Sequence, residues 1–168
     1  MSYVAVYHVA APDTPNKVLT HVEDIASTLA EHGVRFERWQ PGPIEKGASD
    51  AVMIEAYRAP INDLGYSNVE VLNITHPFPA RAEQRCRDTH GYFFIAGQGL
   101  FGLHMGEDVY IVRCEKNDLL IVPADTAHWL DFGEHPHAVA LRMFNSAEGC
   151  VPVLTADAIA GCFPGLDD

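Results

Sequence analysis

In the second half of the chain, short runs of alternating apolar and polar residues recur at intervals of about eight to ten residues. A period of two predicts strands, because successive side chains of a strand point to opposite faces. Clusters of Gly, Pro, Asn and Asp separate the runs and predict tight turns. Seven short strands at this spacing are typical of a β-barrel or β-sandwich. The predicted strands lie around Cys86 and at 90–96, 100–105, 109–114, 118–122, 128–132 and 138–144.

The first half mixes strand and helix patterns. Val22 and Ile25 begin an apolar stripe at helical spacing, and Thr20 followed by Glu23 has the spacing of a capping box. A helix is therefore predicted from this point to Gly33, a common stop residue. Three strands are also predicted, at 3–9 as an edge strand, at 34–39 and at 69–74.

A second helix is predicted before the barrel. Ser49 or Asp50 is a suitable N-cap, Pro60 should kink or split the helix, and Gly65 should end it. A proline-containing loop over 76–82 then leads to the strands of the second half. A short helix over 157–162, capped by Thr155, is predicted near the end of the chain.

The length of 168 residues suits one domain with its own core. We expect a single domain over 1–168, with an N-terminal α+β portion (1–75), a barrel core (83–145) and a C-terminal segment (146–168). The sequence begins with no basic leader and has no apolar run of membrane-spanning length, so we expect a cytoplasmic protein. The four cysteines include no C-x-x-C pair and should remain thiols there.

The charge of the chain limits its partners. Asp and Glu number 23 against 11 Lys and Arg, which gives a formal net charge of −12. Such a surface repels nucleic-acid phosphates and anionic lipid headgroups. We therefore expect neither nucleic acid nor membrane as a partner, and expect a small-molecule substrate instead. The oligomeric state stays open.

Five blocks of the sequence carry a family resemblance. They lie in the same order as in the acireductone dioxygenases of methionine salvage, which the chain resembles over nearly its whole length. The resemblance implies a mainly β fold, a cupin double-stranded β-helix (jelly-roll) barrel with an N-terminal α+β extension and a short C-terminal helix. The blocks are 33–39, 93–101, 114–119, 122–129 and 142–145.

The same resemblance implies a metal site. Members of that family hold Fe(II) or Ni(II) with a His-x-His pair, a glutamate four residues after the second histidine, and a histidine on a later strand. When the family pattern is aligned on Phe93, these positions fall on Gln84, Cys86, His90 and His128. Only His128 keeps the residue type of the family.

Other positions near the implied site also depart from the family. The arginine two residues after the family's glutamate is Tyr92 here, and the aromatic residue two after the last histidine is Leu130. The tryptophan that follows an Asn-x-x-Glu-Gly motif is Cys150. The scaffold blocks persist while site positions change together, which indicates altered chemistry.

The rewritten set can still bind a metal. Gln84 and Cys86 share one face of a strand, and a turn near 87–89 should bring His90 beside them. One thiolate, two neutral imidazoles and one amide sum to −1, the same charge as three imidazoles and a carboxylate. Imidazole and thiolate suit Zn(II), copper or iron, whereas the amide of Gln84 is a weak ligand that water or substrate can replace. Fe(II) or Ni(II) is the choice that the resemblance implies.

Structural alternatives exist for each of these residues. A buried cysteine such as Cys86 is commonly a small core residue, and His90 and His128 can be hydrogen-bonded core histidines. Cys86 beside a histidine can also be a catalytic nucleophile. Tyr92 is a candidate catalytic acid or holder of a substrate oxygen, and its alternative role is barrel packing.

Three functions follow from these residues. The first is a metal-dependent dioxygenase that acts with O₂ on a small enediol, diketone or thiol-containing substrate; in the family, the iron enzymes release formate and a keto acid. The second is a zinc-type lyase, isomerase or cyclase that needs no O₂. The third is a non-catalytic small-molecule-binding cupin.

Overall fold

The computed structural model describes residues 1–42, 44–77 and 82–168, so part of the loop predicted over 76–82 lies outside the described residues. The helices are α1 (Val22–Ala30), α2 (Asp50–Ala56), α3 (Arg58–Asp63) and a 3₁₀ helix (Ile159–Cys162). The strands are β1 (Tyr3–His8), β2 (Lys17–Leu19), β3 (Arg35–Arg38), β4 (Asn68–Ile74), β5 (Gln84–Arg85), β6 (His90–Ala96), β7 (Gln98–Met105), β8 (Asp108–Glu115), β9 (Asp118–Val122), β10 (Ala127–Asp131), β11 (Ala138–Phe144) and β12 (Val153–Leu154).

The strands form two antiparallel sheets. The larger sheet has the order β12-β5-β10-β7-β8-β1-β2, and the smaller has the order β3-β9-β6-β11-β4. The mainly β class predicted from the alternation is confirmed. The prediction that residues 3–9 form an edge strand is wrong, because β1 pairs with both β8 and β2. The edge is β2, whose three residues are too few for a periodic signal.

The ends of the helices differ in part from the prediction. The N-cap of α1 is His21, which makes no side-chain capping bond, so the capping box of Thr20 and Glu23 is not formed. Ser49 caps α2 as predicted, since its hydroxyl oxygen accepts a hydrogen bond from the backbone N–H of Val52 at 3.3 Å. Pro60 lies in the first turn of α3. Backbone N–H groups in the first turn have no intrahelical acceptor, so proline costs no hydrogen bond there.

The C-terminal helix is shorter than predicted. It is a 3₁₀ helix that begins at Ile159, whose backbone N–H donates to the carboxylate of Asp157 at 3.0 Å. Thr155 does not cap it and instead donates its hydroxyl proton to the buried carboxylate of Glu83 at 2.7 Å. The C-terminal segment is thereby attached to the edge of the larger sheet.

The main core lies between the inner faces of the two sheets, and α1 packs against it. Its buried residues include Val4, Phe36, Tyr92, Phe94, Phe101, Leu103, Val112, Leu120 and Val122. A second apolar cluster lies on the outer face of the larger sheet, where Trp129 packs over Gly102 and contacts Phe163 of the C-terminal segment. Over the described ranges, no helix combines the length and apolarity that a bilayer crossing requires.

Candidate metal centre

Cys86, His90 and His128 converge at one end of the space between the sheets. Cys86 follows β5, His90 begins β6 of the facing sheet, and His128 is the second residue of β10. One ligand atom from each residue lies within 4.8 Å of the others. All three residues are buried, and we call this group the inner cluster.

Two short connections fix these positions. After β5 the chain bends, and the Cys86 carbonyl oxygen accepts a hydrogen bond from the backbone N–H of Asp125 at 2.8 Å. The Thr89 hydroxyl oxygen accepts one from the N–H of Ala124 at 3.0 Å. Both donors belong to the turn before β10, in which Asp125 adopts a φ of 60° that Asp tolerates better than most residues. The bend before His90 and the turn before His128 are therefore held together.

The hydrogen bonds of the two histidines fix their rings and leave one nitrogen of each ring free. The Nδ1 atom of His90 lies 3.2 Å from the Asp88 carbonyl oxygen, and that of His128 lies 2.8 Å from the Thr126 carbonyl oxygen. A carbonyl oxygen only accepts, so Nδ1 carries the proton and Nε2 carries a free lone pair. Both Nε2 atoms are buried and find no hydrogen-bond partner among the described residues. Metal-binding histidines commonly have this arrangement.

Burial keeps all three groups neutral when no metal is present. Desolvation and the nearby His128 lower the pKa of His90 to about 4. Desolvation also lowers the pKa of His128, and the charge of Arg142 acts in the same direction. Burial raises the pKa of Cys86, partly offset by Arg142. These shifts oppose a thiolate–imidazolium pair, so the structure gives no support to the nucleophilic role considered for Cys86.

Gln84 lies next to the inner cluster. It is directly opposite His128 in the β5–β10 pair, and cross-strand partners direct their side chains to the same face of a sheet. It is partly buried. Gln84 therefore lies on the same face of the sheet as His128.

Tyr92 and Arg142 form the wall beside His90. Tyr92 is directly opposite Arg142 in the β6–β11 pair, and its ring meets that of His90 edge to face at a centroid distance of 5.5 Å. Burial raises the pKa of Tyr92 to about 12, although Arg142 contributes a hydrogen bond and an opposing charge. Arg142 also donates to the Cys150 carbonyl oxygen at 2.7 Å and to Glu70 at 3.1 Å. A neutral phenol and a fixed guanidinium therefore adjoin the cluster.

Sequence reasoning missed Arg142 as a site residue. It was noted only as part of a scaffold block, yet its charge acts on His90, His128 and Cys86. Tyr92 stands where the family pattern has an arginine, and Arg142 on the neighbouring strand β11 brings a guanidinium to the same place. The strand pairing that places the two opposite each other was the missing information.

A second group of potential ligands was also missed. Glu83, His104 and Asp157 bring ligand atoms within 4.8 Å of one another, and we call this group the outer cluster. Glu83 is 3% exposed, and its two carboxylate oxygens contact His104 Nδ1 at 2.8 Å and the Thr155 hydroxyl at 2.7 Å. These bonds give His104 a structural role.

The chain is similar over its full length to known acireductone dioxygenases. The ARD/ARD' family pattern matches residues 80–152. An alignment of 181 positions covers all of both chains and gives 54% identity to an acireductone dioxygenase of Pseudomonas syringae pv. syringae. The corresponding identity to one of Pseudomonas aeruginosa (strain UCBPP-PA14) is 51% over the same coverage.

A solved structure shares the fold. The chain superposes with a TM-score of 0.76 on acireductone dioxygenase from Bacillus anthracis with a cadmium ion in its active centre, at 21% identity. The match covers 91% of this chain and 98% of that one. The likeness confirms the predicted cupin barrel.

Proposed function

The chain belongs to the acireductone dioxygenase family, and we propose that Cys86, His90 and His128 hold a divalent metal with which it oxygenates a small enediol substrate. Membership confirms the family inferred from the sequence and its enzyme class, a metal-dependent dioxygenase. The observation that carries the proposed ligand set is the pair of buried, unpartnered Nε2 atoms that converge with the Cys86 sulfur.

The donor set fits a divalent transition metal. A buried acceptor without a partner costs about 1–3 kcal/mol, and a metal would relieve that cost at both histidines. Binding deprotonates the thiol, so two neutral imidazoles and one thiolate carry a charge of −1. Fe(II) or Ni(II) is proposed from the family, and the sulfur also suits Zn(II) or copper. Such a metal polarises substrate oxygens and, if it is iron, also supports O₂ chemistry.

We propose Gln84 as a weak donor that substrate displaces. A neutral side-chain amide binds transition metals less strongly than imidazole or thiolate. Three firm ligands then leave room for a substrate with two adjacent oxygens. An enediol or a diketone has this geometry.

Arg142 and Tyr92 are proposed to orient that substrate. The guanidinium is fixed by Glu70 and the Cys150 carbonyl oxygen, so it presents its charge without reorganisation. An enediolate oxygen beside it would gain a charge-assisted hydrogen bond. Tyr92 keeps its proton over the physiological range and serves as a second donor. Their charge and polarity favour an anionic, oxygen-rich substrate over an apolar one.

The sulfur donor supports a second candidate, a zinc-dependent lyase, isomerase or cyclase. Zinc binds cysteine and histidine together in known catalytic sites. This alternative requires turnover without O₂.

The cytoplasmic location and the division of the chain at residues 75, 83 and 145 stay predictions.

The test combines metal analysis with oxygen uptake. Protein purified without a metal-affinity tag should contain about one metal per chain, and the iron-loaded form should consume O₂ and release formate with an acireductone analogue. His128→Ala should lose both metal and uptake, whereas the exposed control His135→Ala should keep both. Absence of O₂ uptake with every metal would contradict the dioxygenase function. Anaerobic turnover of the zinc form would establish the second candidate.

A further inference from the structure

Two cysteines approach each other beside the inner cluster. The Cys86 sulfur lies 3.8 Å from the backbone carbonyl oxygen of Cys150. The two residues are 2% and 3% exposed, and both are free thiols. Neither residue has the type that the family pattern places at its position.

Backbone contacts on both sides keep these cysteines together. Arg85 is opposite Val153 in the β5–β12 pair, and the N–H of Asp88 donates to the Gly149 carbonyl oxygen at 3.1 Å. A Cβ on Gly149 would meet the Asp88 carboxylate, which would then have to move. The register of that pair continues to residue 152 opposite Cys86, two positions from Cys150, so the direct contact between the two cysteines is the one from the Cys86 sulfur to the Cys150 carbonyl oxygen.

We propose that Cys86 and Cys150 are a redox modification site, at which a small peroxide forms a disulfide and a dithiol reduces it. Because burial raises the pKa of both thiols, only a small thiolate fraction of either is present. That fraction attacks hydrogen peroxide slowly, which yields a sulfenic acid and, after protonation, one water. The second thiol then attacks that sulfur, the S–O bond breaks and a second water leaves. The two sulfurs together lose two electrons, which the peroxide gains. Burial of the pair restricts the oxidant to small neutral molecules.

The consequence of this modification is loss of metal. The predicted loss of metal rests on the proposed function, because it requires Cys86 to be a metal ligand. A disulfide sulfur is no longer a thiolate, so oxidation removes one donor from the inner cluster. Bound metal should in turn protect Cys86, because its lone pair is engaged. Disulfide and metal therefore compete for the same sulfur.

The other two cysteines provide internal controls. Cys114 is fully buried in the main core between the sheets. Cys162 is exposed on the 3₁₀ helix and can form disulfides between molecules. A Cys162→Ser background removes that reaction and leaves three thiols.

The experiment treats metal-free Cys162→Ser protein with hydrogen peroxide. We expect the thiol count in denaturant to fall from three to one, and peptide mass mapping to find the Cys86–Cys150 link. Zinc binding should be lost and then restored by dithiothreitol in the same sample. Zinc-loaded protein should keep its three thiols under the same treatment. The further replacement Cys150→Ser should prevent the link while the reduced protein still binds zinc.

Three other results would overturn parts of this inference. If oxidation only adds oxygen atoms, or if both thiols still react with an alkylating reagent, no disulfide forms and the proposed function is unaffected. If the link forms but zinc still binds, Cys86 is not a ligand and the coupling is wrong. If the reduced protein binds no metal, the proposed metal centre itself fails, whatever the thiol chemistry shows.

Discussion

The inner cluster lies between the two sheets and the outer cluster lies on the outer face of the larger sheet, and the two use similar residues in different ways. In β7, Leu103 faces the main core opposite His128, whereas His104 faces outward beneath the C-terminal segment. The outer cluster is internally bonded, because Glu83 contacts both His104 and Thr155. The inner cluster leaves the Nε2 atoms of His90 and His128 without partners.

This difference shows how a functional cluster can be separated from a structural one. Proximity of potential ligands is common to both, and so is burial of at least one member. What distinguishes them is hydrogen-bond satisfaction, because an unpaired buried acceptor carries a cost that a bound ligand offsets. This difference supports the proposed metal site at the inner cluster, whereas the bonds of the outer cluster attach the C-terminal segment.

The largest expected effect is on zinc affinity, and it distinguishes His128 of the inner cluster from His104 of the outer cluster. His128→Ala should weaken zinc affinity by more than about 100-fold, since loss of even a second-shell residue costs about 10–100-fold. His104→Ala on the opposite face should change that affinity by less than about threefold. Competition with a chromogenic chelator measures both. Equal losses in the two variants would remove the distinction between the clusters.

Acid should destabilise the metal-free protein through the inner cluster. The folded pKa of His90 is about 4, below its ordinary 6.5. Between these values the unfolded chain binds a proton that folded His90 does not, so stability falls as pH decreases from about 6.5 to about 4. The contribution is on the order of 3 kcal/mol, and His128 adds to it in the same direction.

Urea unfolding at several pH values measures this effect. A His90→Gln variant should lose less stability than the unmodified chain over that interval. The control His135→Ala, which changes an exposed histidine, should retain the full acid dependence. A parallel decline in all three proteins would show that His90 is not the group responsible.

Removing the charge of the outer cluster should affect stability more than metal binding. Glu83→Gln keeps the side-chain size but weakens the bonds to His104 and Thr155, at a cost of about 1–3 kcal/mol in the free energy of unfolding. The exposed Glu134→Gln should stay within about 0.5 kcal/mol. Zinc affinity of Glu83→Gln should remain well above that of His128→Ala. A 100-fold loss of affinity would link the two faces.

The smallest expected effect concerns Gln84. Because an amide is a weak donor, Gln84→Ala should lower zinc affinity by less than about 10-fold. The chelator competition used for His128→Ala provides the comparison. A loss as large as that of His128→Ala would make Gln84 a full ligand and leave fewer open positions for substrate.

Local patterns predicted the long strands, and the family resemblance supplied the residues of the inner cluster. Alternation located the long strands, and a turn after Cys86 was expected to return His90 to its side. The short strands β2 and β12 were missed because two or three residues carry no periodic signal. The capping box at Thr20 was wrong because its spacing also occurs where the helix begins one residue later.

Contacts between distant strands could not be read from the chain. Arg142 reaches the site because β11 pairs with β6 and places it opposite Tyr92. Cys150 reaches Cys86 through the β5–β12 pair and a close approach at Gly149. Glu83 and His104 meet across an intervening strand. Each contact depends on strand register, which a single sequence does not determine.

The most direct measurement is X-ray absorption at the metal edge of zinc-loaded protein. The expected shell has one sulfur at about 2.3 Å together with nitrogen or oxygen donors at about 2.0–2.2 Å. The sulfur should disappear in Cys86→Ser and remain in Cys150→Ser. A shell of nitrogen and oxygen alone in the unmodified protein would contradict the central claim that Cys86, His90 and His128 form the metal centre.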